Sequence, residues 1–150
     1  MASRLLMFVN EWLIHDLSGE NGSHKQKEAG RFLEELIKRC DRIVVLRGSP
    51  WMQKAYGLMG YRDPLRRTLS RRLHHILRDS RKCTILEPEE ISELSSDLAA
   101  RVPEEDRYLV QIYLSTKADL LITTDQKLDN SLSTFGGVHV KQRDDFLKGY

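Results

Sequence analysis

Two aspartates and one asparagine stand where predicted strands end or helices begin. Asp106 opens a predicted helix, whereas Asp125 and Asn10 each follow a short apolar run that predicts a strand. In a parallel α/β sheet the helix N-termini and strand C-termini share one edge, so we expect the three side chains to face one crevice. Oxygen ligands without a softer partner suit a hard divalent cation such as Mg²⁺ or Mn²⁺. Helix capping by Asp106 and a turn at Asp125 are the alternatives.

The segment 62–82 is strongly basic, with eight Lys or Arg residues and two Asp residues. On a helix, Arg66, Arg67 and Arg71 cannot all join the leucine stripe that packs inward, so they form a cationic face. Such a face is the electrostatic signature of binding to a phosphate backbone. An ordinary solvated helix face, and a contact with another subunit or an acidic partner, are the alternatives.

Four ring side chains accompany these charges. Trp51 and Tyr56 flank the end of the second predicted strand, where they can stack on the bases of a single strand. Packing in the core or at its rim is the alternative for Trp51. His74 and His75 are adjacent, so on a helix they point about 100° apart and cannot both bind one metal in the usual way. We interpret them as polar surface or phosphate contacts.

Five short apolar runs, each of strand length, alternate with helical patterns. The runs are continuous rather than interrupted by polar residues, as expected for strands covered on both faces. We therefore predict an α/β fold, a three-layer α/β/α architecture with a mainly parallel central sheet of about five strands. The runs are LLMFV at 5–9, IVVL at 43–46, TIL at 84–86, LLIT at 120–123 and VHV at 138–140.

The helices are predicted from apolar stripes and from Ser-Pro or Asp-Pro start signals. One helix is expected to follow Pro88, with Ile91 and Leu98 on its apolar side. Gly136 and Gly137 predict a turn before the last strand. The predicted helices cover 24–38, 50–59, 64–78, 88–101, 103–117 and a closing turn at 144–147.

The bulk properties indicate one ordinary domain. A chain of 150 residues with 40% hydrophobic content can bury a core, so residues 1–150 are predicted to form a single domain. The net charge of +2 does not by itself indicate a nucleic-acid binder. The first apolar run is too short for a signal peptide or a membrane span, so we expect no membrane association and a cytoplasmic location. Cys40 and Cys83 are expected to be buried thiols.

The segment EEDRYLVQIYLSTKADLLITTDQKL at 104–128 resembles the C-terminal half of a PIN domain, with its acidic helix start, "AD" pair, apolar strand and T-x-D sequence. The tail VHVKQRDDFL resembles the final strand and the "FL" ending of that family. The resemblance implies a five-stranded parallel-sheet ribonuclease in which carboxylates hold Mg²⁺ or Mn²⁺. It assigns Asp106 and Asp125 as metal ligands, and Asp119 of the "AD" pair to a structural role.

The N-terminal half departs from the family pattern at two positions. Asn10 stands where the family has an aspartate, although it can still offer a neutral oxygen. The family's glutamate after the second strand has no acidic counterpart in SPWMQKAYGLM, where Ala55 is the nearest equivalent. Glu11 can take part only if the register shifts by one residue, and strand alternation would turn its side chain away. Each absent carboxylate lowers divalent affinity, because it removes an oxygen ligand and a negative charge.

Two functions follow from these residues and from the resemblance. The first is a divalent-metal-dependent endoribonuclease of the toxin type that small members of the family resemble, with the two aspartates and Asn10 at the metal. The basic face and Trp51 would then hold RNA. The second is a catalytically silent PIN-like protein that binds RNA or a protein partner.

The resemblance also implies an antitoxin-like protein partner, and it leaves a homodimer open. A phosphoryl-transfer enzyme on another α/β scaffold is disfavoured. Neither a P-loop nor a G-x-G-x-x-G sequence follows any predicted strand.

Overall fold

Five parallel strands form the centre of the structure, a computed structural model that describes residues 4–133 and 137–150. The strands are β1 Leu6–Val9, β2 Arg42–Leu46, β3 Cys83–Leu86, β4 Leu120–Thr123 and β5 Val140–Gln142. Their order across the sheet is β3, β2, β1, β4, β5, and every neighbouring pair is parallel. The predicted α/β fold with a parallel sheet of five strands is confirmed.

Helices cover both faces of this sheet, and short 3₁₀ turns connect some of them. The helices are α1 Trp12–Ser18, α2 Ser23–Lys38, α3 Pro50–Gly57, α4 Pro64–Arg78, α5 Ser96–Arg101, α6 Arg107–Thr116, α7 Gln126–Ser133 and α8 Arg143–Gly149. The 3₁₀ turns are Leu58–Gly60, Pro88–Glu90 and Glu104–Asp106. Ser49 and Asp63 accept hydrogen bonds from the backbone of the first turns of α3 and α4, and a proline follows each, as the start signals predicted.

Two apolar clusters separate the layers. Met7 and Val9 of β1 pack with α1, α2, α3, α4 and α8 on one face of the sheet, whereas Phe8 packs with α5, α6 and α7 on the other. Successive side chains of a strand point to opposite faces, so a continuous apolar strand is required to fill both clusters. This explains why the strands carry so few polar residues.

The structure corrects two predicted boundaries. The last strand is Val140–Gln142 rather than 138–140, because Val140 pairs with Leu121 and Gln142 with Thr123. The expected helix after Pro88 is a 3₁₀ turn, an irregular stretch and then α5, which begins where Ser95 Oγ accepts a hydrogen bond from the Leu98 amide.

Further local features differ from the predictions or went unpredicted. Helices α1 and α7 were not predicted. Cys83 is buried as expected, but Cys40 is exposed, because it lies in the turn that follows α2. Of the two predicted turn glycines, Gly136 lies outside the described residues. Within the described ranges no helix is long and apolar enough to cross a membrane.

The strand order places a crevice beside β1. The chain proceeds from β1 to β2 and β3 on one side of the sheet, and β4 and β5 lie on the other side. Strand order therefore reverses between β1 and β4, and open α/β sheets bind ligands outside the carboxyl ends of the strands at such a point.

Candidate functional site

A cleft of about 600 Å³ opens at this reversal of strand order. It is lined from β1 and α1, from the start of α3, from the start of α6 and from the turn after β4. The lining residues are Asn10, Glu11, Trp12, His15, Glu20, Asn21, Pro50, Glu105, Asp106, Tyr108, Leu109, Thr124 and Asp125. The structure therefore brings Asn10, Asp106 and Asp125 to one cleft. We call it the acidic cleft.

Among the described residues, no group donates a hydrogen bond to the Asp106 carboxylate, which lines the acidic cleft. The residue precedes α6, but its side chain makes no capping hydrogen bond, so the capping alternative does not apply. Burial raises the pKa of Asp106, and the negative charges of Asp125, Glu105 and Glu11 raise it further. The cleft thus concentrates negative charge that a cation would offset.

The two carboxylate oxygens of Asp125 have different roles. Its Oδ1 accepts hydrogen bonds from the amides of Lys127 at 3.0 Å and Leu128 at 3.1 Å, which caps the start of α7. Within the described residues, Oδ2 has no hydrogen-bond donor. Asp125 therefore combines the predicted turn role with one oxygen that is available to a ligand.

Asn10 is committed to local structure. Its Oδ1 accepts a hydrogen bond from the Glu11 amide at 2.7 Å, and its Nδ2 donates to Thr123 Oγ1 at 3.0 Å. The second bond ties the loop after β1 to the end of β4. Asn10 therefore aligns the two strands that flank the cleft, and its oxygen is already in use.

Contrary to the prediction from strand alternation, the Glu11 side chain does not point away from the cleft. Strand alternation should have turned its side chain away from the cleft, but β1 ends at Val9, so alternation does not extend to residue 11. Glu11 lines the acidic cleft and is held by Lys54 Nζ, 2.6 Å from Oε2. Ala55, the nearest equivalent of the missing family glutamate, is fully buried. The same helix thus contributes the ammonium group of Lys54, one residue before the position where the family pattern has a carboxylate.

The donor set fits one hard cation better than two. Across residues 4–133 and 137–150, no group of three or more His, Cys, Asp or Glu side chains is arranged to hold a metal ion. Among the described residues, the lining carboxylates that form no salt bridge and keep an oxygen free of hydrogen-bond donors are Asp106, Asp125 and the exposed Glu105, and Asp106 and Asp125 are the two that stand at the family's metal positions. Mg²⁺ commonly binds through one or two carboxylates and keeps several waters, so two such ligands suffice for a weak site.

Asp119 has the structural position that the resemblance assigned to it. Its Oδ2 accepts a hydrogen bond from the Leu6 amide at 2.8 Å, and its own amide donates to the Leu6 carbonyl at 2.7 Å. The residue therefore fastens β4 to β1 at the edge opposite the acidic cleft.

The structure corrects the assignment of Trp51 to RNA binding. Trp51 is 2% exposed and belongs to the apolar cluster beneath α3, so its ring cannot stack on a base. Tyr56 lies on the same helix and is 53% exposed. The core alternative therefore applies to Trp51, and Tyr56 retains the geometry that stacking requires.

The basic face forms a second cleft, of about 430 Å³. Arg67, Arg71 and Arg78 line it, and among the described residues none of the three forms a salt bridge. Arg66 lies beside it and is partly engaged, with its guanidinium 4.3 Å from the Tyr61 ring centroid and 3.7 Å from Asp63 Oδ1. Uncompensated guanidinium groups favour an anionic ligand. We call this second site the basic cleft.

A narrow groove of about 240 Å³ lies between the two clefts. It shares His15 and Glu20 with the acidic cleft and Leu58 with the basic cleft. Lys54 and Tyr61 also line it. The acidic and basic clefts are therefore connected through the residues of this groove.

Comparisons with known proteins agree with the fold. No family model matches the chain, and no curated protein matches its sequence. Its structure is similar to a chain of VapBC2 from Rickettsia felis, crystallised bound to a DNA fragment from their promoter, with a TM-score of 0.54 and 12% sequence identity. The match covers 92% of this chain and 98% of the other. At this identity the likeness shows the fold alone, and it supports the PIN-like fold predicted from the sequence.

Proposed function

We propose that this chain is a PIN-like endoribonuclease that hydrolyses RNA phosphodiesters with one weakly bound Mg²⁺ or Mn²⁺ ion. The observation that carries the proposal is that the Asp106 carboxylate has no hydrogen-bond donor among the described residues and that the negative charge of Asp125 raises its pKa. Both residues line the cleft at the point where strand order reverses. Two carboxylates in that position, without softer ligands, are suited to a hard divalent cation.

In this proposal the acidic cleft holds the metal ion and the basic cleft holds the RNA backbone. Asp106 and Asp125 would hold the ion, which supplies a hydroxide nucleophile and offsets charge on the phosphate. Asn10 would keep the flanking loops in register through its bonds to Glu11 and Thr123. Arg67 and Arg71 would hold the RNA backbone, and the groove lined by Lys54 offers a path toward the acidic cleft.

The test is RNA cleavage by the purified chain in Mn²⁺ and in EDTA, on structured and unstructured RNA. We expect cleavage in Mn²⁺ that EDTA and the substitution Asp125→Asn both abolish. Asp129→Asn is the matched control, since Asp129 lies on the same helix, bonds Gln142 and does not line the acidic cleft. Cleavage that survives EDTA or Asp125→Asn would exclude the metal-dependent mechanism.

A second candidate is a PIN-like RNA-binding protein without catalytic activity. The observation that favours it is that Asn10 and Ala55 stand at two of the family's acidic positions, so that only Asp106 and Asp125 match that pattern, while Glu11 is engaged by Lys54. The same experiment separates the candidates. Binding of RNA that depends on Arg67 and Arg71, with no cleavage in Mn²⁺, would select this second function.

We also propose an antitoxin-like protein partner. The structural neighbour is part of the VapBC2 complex, which is compatible with a partner for this chain. Exposed Met59, Tyr61 and Leu65 offer an apolar surface beside the basic cleft, although self-association of this surface would give a homodimer instead. The mass of the purified chain in solution, measured by light scattering, distinguishes a monomer that needs a partner from a homodimer.

A further inference from the structure

Lys54 reaches from α3 to Glu11 and His15, two residues that line the acidic cleft, and it lies in the neighbouring groove. Its Nζ lies 2.6 Å from Glu11 Oε2 and 3.4 Å from His15 Nε2. The Lys54 side chain is 41% exposed and that of Glu11 is 24% exposed, so the ion pair lies at the wall of the cleft rather than in the core. The neighbouring residue, Ala55, is fully buried, so Lys54 is the residue of this pair whose side chain reaches Glu11.

The groups around Lys54 hold it in place. Tyr108 donates its hydroxyl hydrogen to Glu11 Oε1 at 3.0 Å, so both oxygens of Glu11 are engaged. His15 Nδ1 lies 2.8 Å from Glu20 Oε2. An ammonium group can only donate and a carboxylate can only accept, so the contacts fit a His15 ring that accepts at Nε2 and donates at Nδ1. The chain Glu20, His15, Lys54, Glu11, Tyr108 thus links α1, α3 and α6; we call it the Lys54 network.

The Lys54 network determines which carboxylates remain for a cation. Glu11 contributes to the negative field at Asp106, yet both of its oxygens are engaged. A divalent ion that binds Glu11 has to compete with the ammonium group, because the positive charge 2.6 Å from Oε2 repels a second cation and neutralises the carboxylate that would attract it. Asp106 and Asp125 are not subject to this competition, because no lysine or arginine forms a salt bridge with either within the described residues.

We propose that Lys54 is a resident cation at the edge of the acidic cleft, which occupies Glu11 and restricts the cleft to one divalent ion, at Asp106 and Asp125. This proposal rests on the proposed function, because it assumes that the cleft takes a divalent ion. Lys54 holds a positive charge at Glu11, on the wall of the same cleft, and a lysine ammonium is a common ligand of phosphate oxygens. The ligand class is therefore a phosphodiester held between one metal ion and one ammonium group.

The experiment measures Mn²⁺ binding to the full chain without RNA, from the electron paramagnetic resonance signal of free Mn²⁺. Lys54→Met removes the charge and keeps a long apolar side chain, and Lys54→Gln is a second neutral variant. We expect both to bind Mn²⁺ more tightly, on the order of tenfold, because Glu11 becomes an additional charged ligand. Lys54→Arg preserves the charge and should bind as the unmodified chain does. The double variant Lys54→Met with Glu11→Gln should lose the gain.

The outcomes separate this inference from the proposed function. If Asp125→Asn weakens Mn²⁺ binding but the neutral Lys54 variants bind no more tightly, the inference fails and the metal site stands. If the unmodified chain binds no Mn²⁺ through Asp125 but the neutral variants gain binding through Glu11, the competition between Lys54 and a divalent ion at Glu11 holds, whereas the metal site at Asp106 and Asp125 fails. If no variant binds Mn²⁺, both are overturned. Thermal unfolding of each variant verifies that it is folded.

Discussion

The ring of Tyr56 stacks on the ring of His74, with centroids 5.5 Å apart and planes inclined by 16°. His74 is 7% exposed, and its Nε2 lies 3.1 Å from the Ala55 carbonyl oxygen. A buried and anchored ring therefore fixes the orientation of an exposed one. Tyr56 accordingly offers a rigid aromatic surface next to the basic cleft, which His74 lines.

Replacing Tyr56 by alanine should weaken binding to unpaired RNA by about 1–3 kcal/mol, because one base loses its stacking partner. Tyr56→Phe should bind normally, since the ring is retained. Fluorescence anisotropy with an unpaired and a fully paired RNA of equal length measures the difference. Equal losses on both RNAs would mean that Tyr56 does not stack on a base.

His74 should make the fold sensitive to acid. Burial lowers the pKa of His74, and the positive charge of Arg78 lowers it further. The unfolded chain therefore takes up a proton at a higher pH than the folded chain, so stability present above the ordinary value of 6.5 is lost as the pH falls through the folded pKa. We expect Tm to fall between about pH 7 and pH 5, and His74→Gln to reduce that slope.

His75 provides the control for this effect, because it is adjacent and exposed. The comparison concerns the slope of Tm against pH rather than Tm itself, since His74→Gln also alters packing. His75→Gln should retain the slope of the unmodified chain. If both substitutions reduced the slope equally, burial of His74 would not be its cause.

The arginines that line the basic cleft, which form no salt bridge within the described residues, should carry most of the salt dependence of RNA binding. Substituting Arg67 and Arg71 by glutamine should reduce the slope of log affinity against log salt by about 0.7 for each lost phosphate contact on a single strand. Arg66 should contribute less, because Tyr61 and Asp63 already engage it. Titrations at several salt concentrations test this, with Lys141→Gln on the exposed edge strand as the control. An unchanged slope would remove the basic cleft from the RNA path.

The ionised carboxylate of Asp106 should lower the stability of the folded protein at neutral pH. Its folded pKa is raised, so the penalty of ionising it in the cleft develops as the pH rises above the ordinary value of 3.8 and is complete at neutral pH. Asp106→Asn should therefore raise Tm at pH 7 by about 1–3 °C, and the gain should vanish in strong acid. Glu93→Gln, at an exposed position outside the acidic cleft, should leave Tm unchanged. A lower Tm for Asp106→Asn would show that the carboxylate is stabilising.

The elements with a simple apolar pattern were predictable from the sequence. The run at 120–123 coincides with β4, because a strand covered on both faces must be apolar throughout. Helix α1 was missed for a related reason. Its buried residues include Trp12, Leu13, Ile14 and Leu17, so it has no polar stripe that would reveal a helical period.

The acidic cleft was predictable only in part. The rule that strand ends and helix starts share an edge brought Asp106, Asp125 and Asn10 together correctly. It could not distinguish Trp51 from Tyr56, because their exposure depends on which face of α3 meets the core. No local signal connects Lys54 with Glu11, since 43 residues separate them and the contact exists only after the sheet has formed.

The pairing of β4 with β1 determines when the acidic cleft can form during synthesis of the chain. The Leu6 amide bonds to Asp119 across 113 residues, and the acidic cleft requires both partners of this pairing. The ribosome synthesises the N-terminal strands first. An incomplete chain that stops before Asp106 therefore contains Asn10 and Lys54 but lacks Asp106 and Asp125. The acidic cleft therefore cannot form until Asp125 has been synthesised, so an incomplete chain that stops before this residue lacks any activity that depends on Asp106 and Asp125.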